Sequence, residues 1–354
     1  MIGKVITHAA FRVDLPMLRK SYGLMSQAYN FKHFYSTSQP PSIPIIDITN
    51  TYQNLKYRRE IAKQIDEICQ NIGFFIITGH SIDENIQTDM MNVSKEFFHL
   101  PLSIKQEVTS SKEYPYGYQG LNTETLSLAY DKSATYLLPD FKESFSIGPE
   151  HDGPIRWSSK PLRMPSIWLN YFKQCENLAK HLYKILALAL NLDERWFENK
   201  IDKHRSVLRS LYYPSISSLP ENQYRASAHT DWGSFTILKQ DSTGGLQVQN
   251  HLNGKWIDVP FIENSFVINL GDLMLRWTND RWVSNLHRVV EPLNKSNGLY
   301  PARQSIAYFV NINPDEIVTC IPTYCLEDKP PKYPSIKFWD FIMEKHLAQS
   351  QKNY

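Results

Sequence analysis

Two histidines and an aspartate, His229, Asp231 and His287, have the types and spacing of a divalent-metal site. His229 and Asp231 flank a single threonine, so on extended backbone both side chains leave the same face. His287 lies in Leu286-His-Arg-Val-Val290, a second strand candidate that can cross the same interior. Two neutral imidazoles and one ionised carboxylate hold Fe(II) on one face of an octahedron and leave the other positions open, although this donor set also admits other divalent ions. An isolated His-x-Asp would be weak, because a chain with 11 histidines can hold one by chance in a surface turn. Here Trp232-Gly233 follows at once and lets the chain turn into the apolar run Phe235-Thr-Ile-Leu238.

Further along stands Arg303-Gln-Ser305. An Arg and a Ser two apart on a strand can grip a carboxylate through charge-assisted hydrogen bonds. The alternative is a surface charge at a strand start followed by an ordinary strand serine. The two readings separate on burial, since a buried Arg without a partner costs several kcal/mol and so implies an anionic ligand. Tyr213, in Leu211-Tyr-Tyr-Pro214, is either core or a hydroxyl donor to the same carboxylate. Phe309 is either a pocket wall or a core aromatic. Lys239 follows Thr236-Ile-Leu238, where an apolar residue is usual; it either faces outward on an edge or sits at the pocket mouth and favours an anionic substrate. Together these residues point to an enzyme that binds iron and a carboxylate cosubstrate and activates O2.

The elements that must position these groups fall into two regions. Pro40-Pro41-Ser42-Ile43-Pro44 is a stiff linker, and Ile45–Ile48 reads as a first strand. Residues 55–70 carry helical periodicity through Ile61, Ile65 and Ile68, followed by the apolar strand Gly73–Thr78. Residues 83–99 and 166–190 read as helices, and 104–165 as irregular loops with short strands. After about residue 205, short β-rich runs alternate with turns: 206–213, 234–240, 246–250, 256–259, 266–270, 287–290 and 304–310. Asn269-Leu-Gly-Asp272 reads as a turn between strands. That pattern predicts a mainly β protein with flanking helices: a double-stranded β-helix (jelly roll) core over 201–345, with an N-terminal helical α/β region over 41–200 packed on it.

Bulk properties narrow the class. The chain has 354 residues, 42% hydrophobic and 21% charged, with net charge +2. No basic block interleaves with aromatics, so a nucleic-acid partner is not expected, and no apolar run approaches the roughly 18 residues of a membrane span. The expected partner is a small-molecule substrate; oligomeric state is not legible. The four cysteines lack Cys-x-x-Cys spacing and read as reduced thiols. His80, His99, His181 and His251 have no partner at ligand spacing and read as structural or solvent-facing. Residues 1–40 hold Lys4, Arg12, Arg19, Lys20 and Lys32 against one acid, Asp14, with several serines among them. That composition fits a mitochondrial targeting peptide, the alternative being a cytoplasmic tail.

From Ile43 to about Tyr333 the chain resembles the isopenicillin N synthase-like group of 2-oxoglutarate- and Fe(II)-dependent dioxygenases. The resemblance rests on Ile43-Pro-Ile-Ile-Asp47, Gly73-Phe-Phe, Glu96-Phe-Phe-His-Leu-Pro101 and Lys142-Glu-Ser-Phe-Ser-Ile-Gly148, then Trp256-Ile-Asp-Val-Pro260, Asn269–Asp272, Arg276-Trp-Thr-Asn279 and Leu286–Val290. It implies that His229, Asp231 and His287 bind Fe(II). It also implies that Arg303 and Ser305, helped by Tyr213, hold the far carboxylate of 2-oxoglutarate, and that O2 and a substrate C–H bond are consumed with release of succinate and CO2. Two positions depart from the group's pattern: Leu211 stands where Asn is common, and Gly79-His80-Ser81 where Asn-His-Gly is common. The alternatives are an Fe(II) oxidase of the same fold that does not use 2-oxoglutarate, since ethylene-forming oxidases keep the Arg-x-Ser pair, and a catalytically silent jelly-roll binding protein. Specificity is expected from residues 104–145 and the C-terminal segment.

Overall fold

The computed structural model describes residues 42–111, 114–129 and 138–350. The basic extension 1–40 and parts of the 104–145 loop lie outside the described residues. Ser42 onward forms one compact unit. In chain order it runs β1 (Ile45–Asp47), α1 (Leu55–Asn71), β2 (Phe74–Thr78), α2 (Glu84–Phe98), α3 (Leu102–Gln106), β3 (Gly117–Gln119), β4 (Glu143–Ile147), α4 (Met164–Ala189) and β5 (Val207–Tyr213). Then come β6 (Ala226–His229), β7 (Phe235–Gln240), β8 (Leu246–Gln249), β9 (Trp256–Asp258), β10 (Phe266–Leu270), α5 (Asp272–Trp277), β11 (His287–Val289) and β12 (Arg303–Val310). A short ribbon of β13 (Ile317–Val318) and β14 (Ile336–Lys337) precedes α6 (Phe338–Ser350). Among the described residues no helix is long and apolar enough to cross a membrane.

The large sheet has eight strands in the order β1-β2-β10-β7-β12-β5-β4-β3, and the small sheet has four, β6-β11-β8-β9. Strands from before and after residue 200 hydrogen-bond within the one large sheet. Its layers follow from the two-residue period of a strand. On β2, Phe75 and Ile77 join the core under the helices, while Phe74 and Ile76 join the core between the sheets. On β12, Ile306 and Tyr308 face the helices and Ala307 faces the small sheet. Ala62, Ile65 and Cys69 of α1, with Leu178 and Leu182 of α4, complete the helix-side layer. The result is helices on the outside of two sheets that share an inner core, as the alternating pattern predicts.

Local chemistry sets several element ends. The Asn54 side chain accepts the Tyr57 N–H at 3.2 Å and starts α1; the Asp83 side chain accepts the Asn85 N–H at 2.7 Å and starts α2. Gly73 takes φ 63° between α1 and β2, and a Cβ there would strike Val283 O, so the helix-to-strand turn needs glycine.

Two expectations are corrected and one is met. Asn269–Asp272 is not a simple turn between strands: β10 ends at Leu270 and Asp272 opens the short helix α5. The short strands expected within 104–165 are β3 and β4, which join the edge of the large sheet, Ser144 and Ser146 alternating with Phe145 and Ile147 along β4. Cys320 and Cys325, expected as free thiols, are paired with Cα atoms 6.5 Å apart, whereas Cys69 and Cys175 are free and buried.

Candidate active site

The small sheet brings the two histidines together. His229 ends β6, His287 begins β11, and the antiparallel register pairs them directly. Asp231 is not on the strand; it sits in the turn between β6 and β7. That turn is held tight by two glycines: a Cβ on Gly233 would meet Val310 O and Asn311 Oδ1, and one on Gly271 would meet Gly233 O. The Asp272 N–H donates to Asp231 O at 2.8 Å and fixes the same loop from α5. The donor atoms of His229, Asp231 and His287 all lie within 4.8 Å of one another. Asp231 Oδ1 is 3.7 Å from His287 Nε2 and 4.0 Å from His229 Nε2.

The surroundings select which atoms point inward. Nδ1 of His229 hydrogen-bonds Ser227 O at 2.7 Å, and Nδ1 of His287 hydrogen-bonds Asn285 O at 3.1 Å. A carbonyl can only accept, so each Nδ1 carries the proton and each Nε2 is left as a free donor pair. Asp231 Oδ2 accepts from Thr236 Oγ1 at 2.5 Å and from Asn269 Nδ2 at 2.6 Å, which leaves Oδ1 toward the imidazoles. Burial, with the neighbouring His287 charge, pushes His229 down to about 3. Burial opposes the Asp231 charge, but both imidazoles and the two hydrogen bonds outweigh it and hold the carboxyl below its ordinary value. One Nε2 from each imidazole and one carboxylate oxygen suit a divalent ion.

The anion end lies across the cavity on β12. Arg303 is 1% exposed. Its Nη1 donates to Ser305 Oγ at 3.0 Å and its Nη2 to Gln240 Oε1 at 3.3 Å, while Nε has no partner. Tyr213, opposite Arg303 in the β5–β12 register, places its ring 5.1 Å from the guanidinium carbon. Among the described residues no carboxylate pairs with Arg303. A buried, unneutralised guanidinium calls for an anionic ligand. Leu211 faces Ser305 across the same register, so the departure from the group's Asn leaves an apolar wall there.

One cavity of about 280 Å³ joins both ends. The odd-numbered β12 residues Arg303, Ser305, Ala307 and Phe309 all line it, so Phe309 is a pocket wall. Lys239 is not brought there. Thr236 and Leu238 of β7 line the cavity; Lys239 has the opposite parity and lies 5.8 Å from the Phe266 ring, within the field of Glu84 and Glu263. The expectation that Lys239 guards the pocket mouth is corrected on that ground. His80, His99 and His181 make hydrogen bonds away from the cavity.

Residues from 104–145 and the C-terminal segment, expected to set specificity, do line the cavity, but three features of this wall are not legible residue by residue in the sequence. Helix α6 brings Phe338, Trp339, Ile342 and His346 to the cavity, and its weak amphipathic pattern gave no sign of a helix. Glu124, Lys142 and Arg209 line the cavity, and both Lys142 and Arg209 pair with Glu124, across separations no local spacing reveals. Gln240 orients Arg303 from the neighbouring strand.

Two family models match this chain. Residues 43–171 match the N-terminal region named for the non-haem dioxygenase in morphine synthesis, and residues 204–312 match the 2OG-Fe(II) oxygenase superfamily. The chain belongs to the 2-oxoglutarate–Fe(II) oxygenase superfamily. The 2-oxoglutarate-Fe(II) type oxidoreductase hxnY of Emericella nidulans is 33% identical over 326 residues, covering 86% of this chain and 89% of that protein. The crystal structure of full-length Neurospora crassa T7H in complex with alpha-KG and thymine superposes with TM-score 0.78 at 35% identity, covering 86% of this chain and 96% of that one. A 1-aminocyclopropane-1-carboxylate oxidase of Dictyostelium mucoroides is 29% identical, covering 84% of this chain and 90% of that protein.

The oxygenase therefore is a 2-oxoglutarate-dependent dioxygenase with a jelly-roll core, and it uses Fe(II), 2-oxoglutarate and O2. The cavity fits these groups: an Nε2 from each histidine, one carboxylate oxygen turned inward, and a buried guanidinium that meets no carboxylate among the described residues.

Proposed function

We propose that His229, Asp231 and His287 hold the iron and that Arg303 and Ser305, with Tyr213 against the guanidinium, seat the distal carboxylate of 2-oxoglutarate. The observation that carries this reading is the buried Arg303, which meets no carboxylate among the described residues, in the same cavity as the triad. When bound, Fe(II), 2-oxoglutarate and O2 supply the oxidising power for a substrate C–H bond, and the cosubstrate leaves as succinate and CO2. The protein's share is placement and exclusion of water. Ser227 O and Asn285 O hold the imidazoles in one tautomer, Thr236 and Asn269 fix the carboxylate, and Leu211, Leu238, Leu246 and Ala307 keep the inner cavity dry.

The substrate we propose is a small flat nitrogen heterocycle. Trp232, Phe309 and Trp339 give the cavity aromatic walls, and the T7H of similar structure was crystallised with thymine. The test is succinate formation by the Fe(II)-loaded enzyme over a panel of pyrimidines, pyridines and aliphatic acids. Stimulation by a heterocycle, absent in His287→Ala, supports the reading; stimulation by aliphatic acids alone contradicts the substrate class. The composition of residues 1–40 supports mitochondrial import over a cytoplasmic location, to be tested by following a reporter fused to those residues.

A further inference from the structure

Outside the metal and the Arg303 end, one group of charged side chains faces the same cavity. Glu124 Oε1 accepts from Arg209 Nη2 at 2.9 Å, and Glu124 Oε2 accepts from Lys142 Nζ at 2.9 Å. Arg209 also donates from Nε to Ser144 Oγ at 3.0 Å, and Lys142 lies 3.4 Å from Asp140. All three of Glu124, Lys142 and Arg209 line the cavity. Burial opposes the Glu124 charge, and Arg209 and Lys142 outweigh it, holding the carboxyl well below the usual carboxylate range.

The cluster is tied to the metal side. Asp140 Oδ1 accepts the Ser227 N–H at 2.9 Å, and Ser227 O is the partner of His229 Nδ1. The Ser127 N–H donates to Ser227 Oγ at 3.0 Å, which pins the turn that follows Glu124 against β6. On the other side, His346 of α6 lies within the field of both Arg209 and Glu124 and sets its ring edge-on to Trp232 at 4.8 Å. A charged pair thus borders a part of the cavity that has aromatic walls.

The charges at this end nearly cancel. Lys142 and Arg209 are met by Glu124 and Asp140, and Arg205 by Asp152 at 2.9 Å. Such a wall offers no net attraction to an acid. It offers instead a carboxylate acceptor beside a guanidinium donor, each with hydrogen-bonding capacity beyond the bond they share. The complement is a neutral group with an N–H and a C=O side by side.

We propose that Glu124 and Arg209 read the substrate, and that the substrate carries an adjacent N–H and C=O, as in a ring amide or imide. Glu124 takes the N–H, Arg209 gives to the carbonyl, and Lys142 keeps Glu124 ionised and in place. This rests on the placement of iron and 2-oxoglutarate proposed above, and it fixes what the other end of the cavity accepts.

The experiment measures binding, without oxygen, to full-length protein loaded with Fe(II) and 2-oxoglutarate. The probes are thymine, 2-pyridone and glutarimide, their N-methylated forms (1,3-dimethylthymine for thymine), and nicotinate as a flat carboxylate of similar size. Hydrogen bonds to a charged partner are the strong kind. The expected result is that at least one ring amide or imide binds, that full N-methylation weakens it about tenfold or more, and that Glu124→Gln weakens it to a similar degree. The affinity for 2-oxoglutarate, measured on the same Glu124→Gln sample, reports whether the variant is folded and the cosubstrate end intact. The N-methyl comparison needs no variant. The proposal is overturned if no ring amide or imide binds, if the N-methylated forms bind as well as the parents, or if nicotinate binds more tightly than all of them. Failure of the iron and cosubstrate assignment would show separately, as 2-oxoglutarate affinity that does not depend on Arg303.

Discussion

His229 and His287 are direct cross-strand partners, their rings 4.3 Å apart, in the antiparallel pair β6–β11. Residues far apart in sequence are thereby set side by side by one register, and a slip of a single residue would turn His287 to the other face. His287→Ala should remove one of three ligands without disturbing the sheet, since alanine keeps the backbone pairing. Turnover should fall below detection while thermal unfolding changes little. Retention of more than a few per cent of activity would contradict the ligand assignment.

Asp231 depends on Thr236 and Asn269 to face the imidazoles. Removing such supports commonly weakens metal affinity by roughly 10–100-fold. Thr236→Val and Asn269→Leu should each raise the Fe(II) concentration needed for half-maximal activity by that order. Unchanged iron dependence in both would mean the carboxylate is oriented by something else.

Lys239 points away from the cavity, toward Phe266 and the acids Glu84 and Glu263. Lys239→Ala should therefore leave the KM of the substrate unchanged. A KM rise of several-fold, with Tm unaltered, would return Lys239 to the pocket mouth.

The acid side of the stability curve follows from two histidines held neutral. Burial, then the Lys239 charge, pushes His80 down to about 4; burial, then Arg58 and Lys184, does the same to His181. Their ordinary value is 6.5. Between these values the unfolded chain binds protons that the folded chain refuses, so stability is complete above about pH 6.5 and declines as the pH falls toward 4. Both side chains are partly exposed, which limits the effect to roughly a few degrees of Tm between pH 7.5 and 5. His181→Gln, which removes the group stacked 3.9 Å from Tyr52, should make that decline shallower. A Tm independent of pH over this range would contradict it.

The sequence carried the chemistry at short range and the fold by periodicity. The Arg303–Ser305 pair is legible because residues two apart on a strand share a face, and His229 and Asp231 because two ligand-type residues stand one residue apart. Helix α1, expected over 55–70, spans Leu55–Asn71, and α4, expected over 166–190, spans Met164–Ala189, because long amphipathic runs bury one side. What escaped depends on contacts between distant segments. Asp231 was read onto a strand, but the glycine-clamped turn carries it. Residue type alone leaves Lys239 open between an outward edge and the pocket mouth, and the parity of β7, set by pairing with β12 and β10, turns it away from the cavity. Glu124 comes from a loop, Lys142 from the residue before β4 and Arg209 from β5, so their meeting depends on the β4–β5 pairing of distant segments.

The most direct test adds 2-oxoglutarate, without oxygen, to the Fe(II)-loaded wild type and to Arg303→Ala, and records the visible spectrum. The wild type should develop a weak charge-transfer band that saturates with 2-oxoglutarate, while the variant should bind iron and need roughly 100-fold more cosubstrate for the same band. Equal saturation in the two proteins would contradict the central claim that Arg303 seats the cosubstrate beside the His229–Asp231–His287 centre.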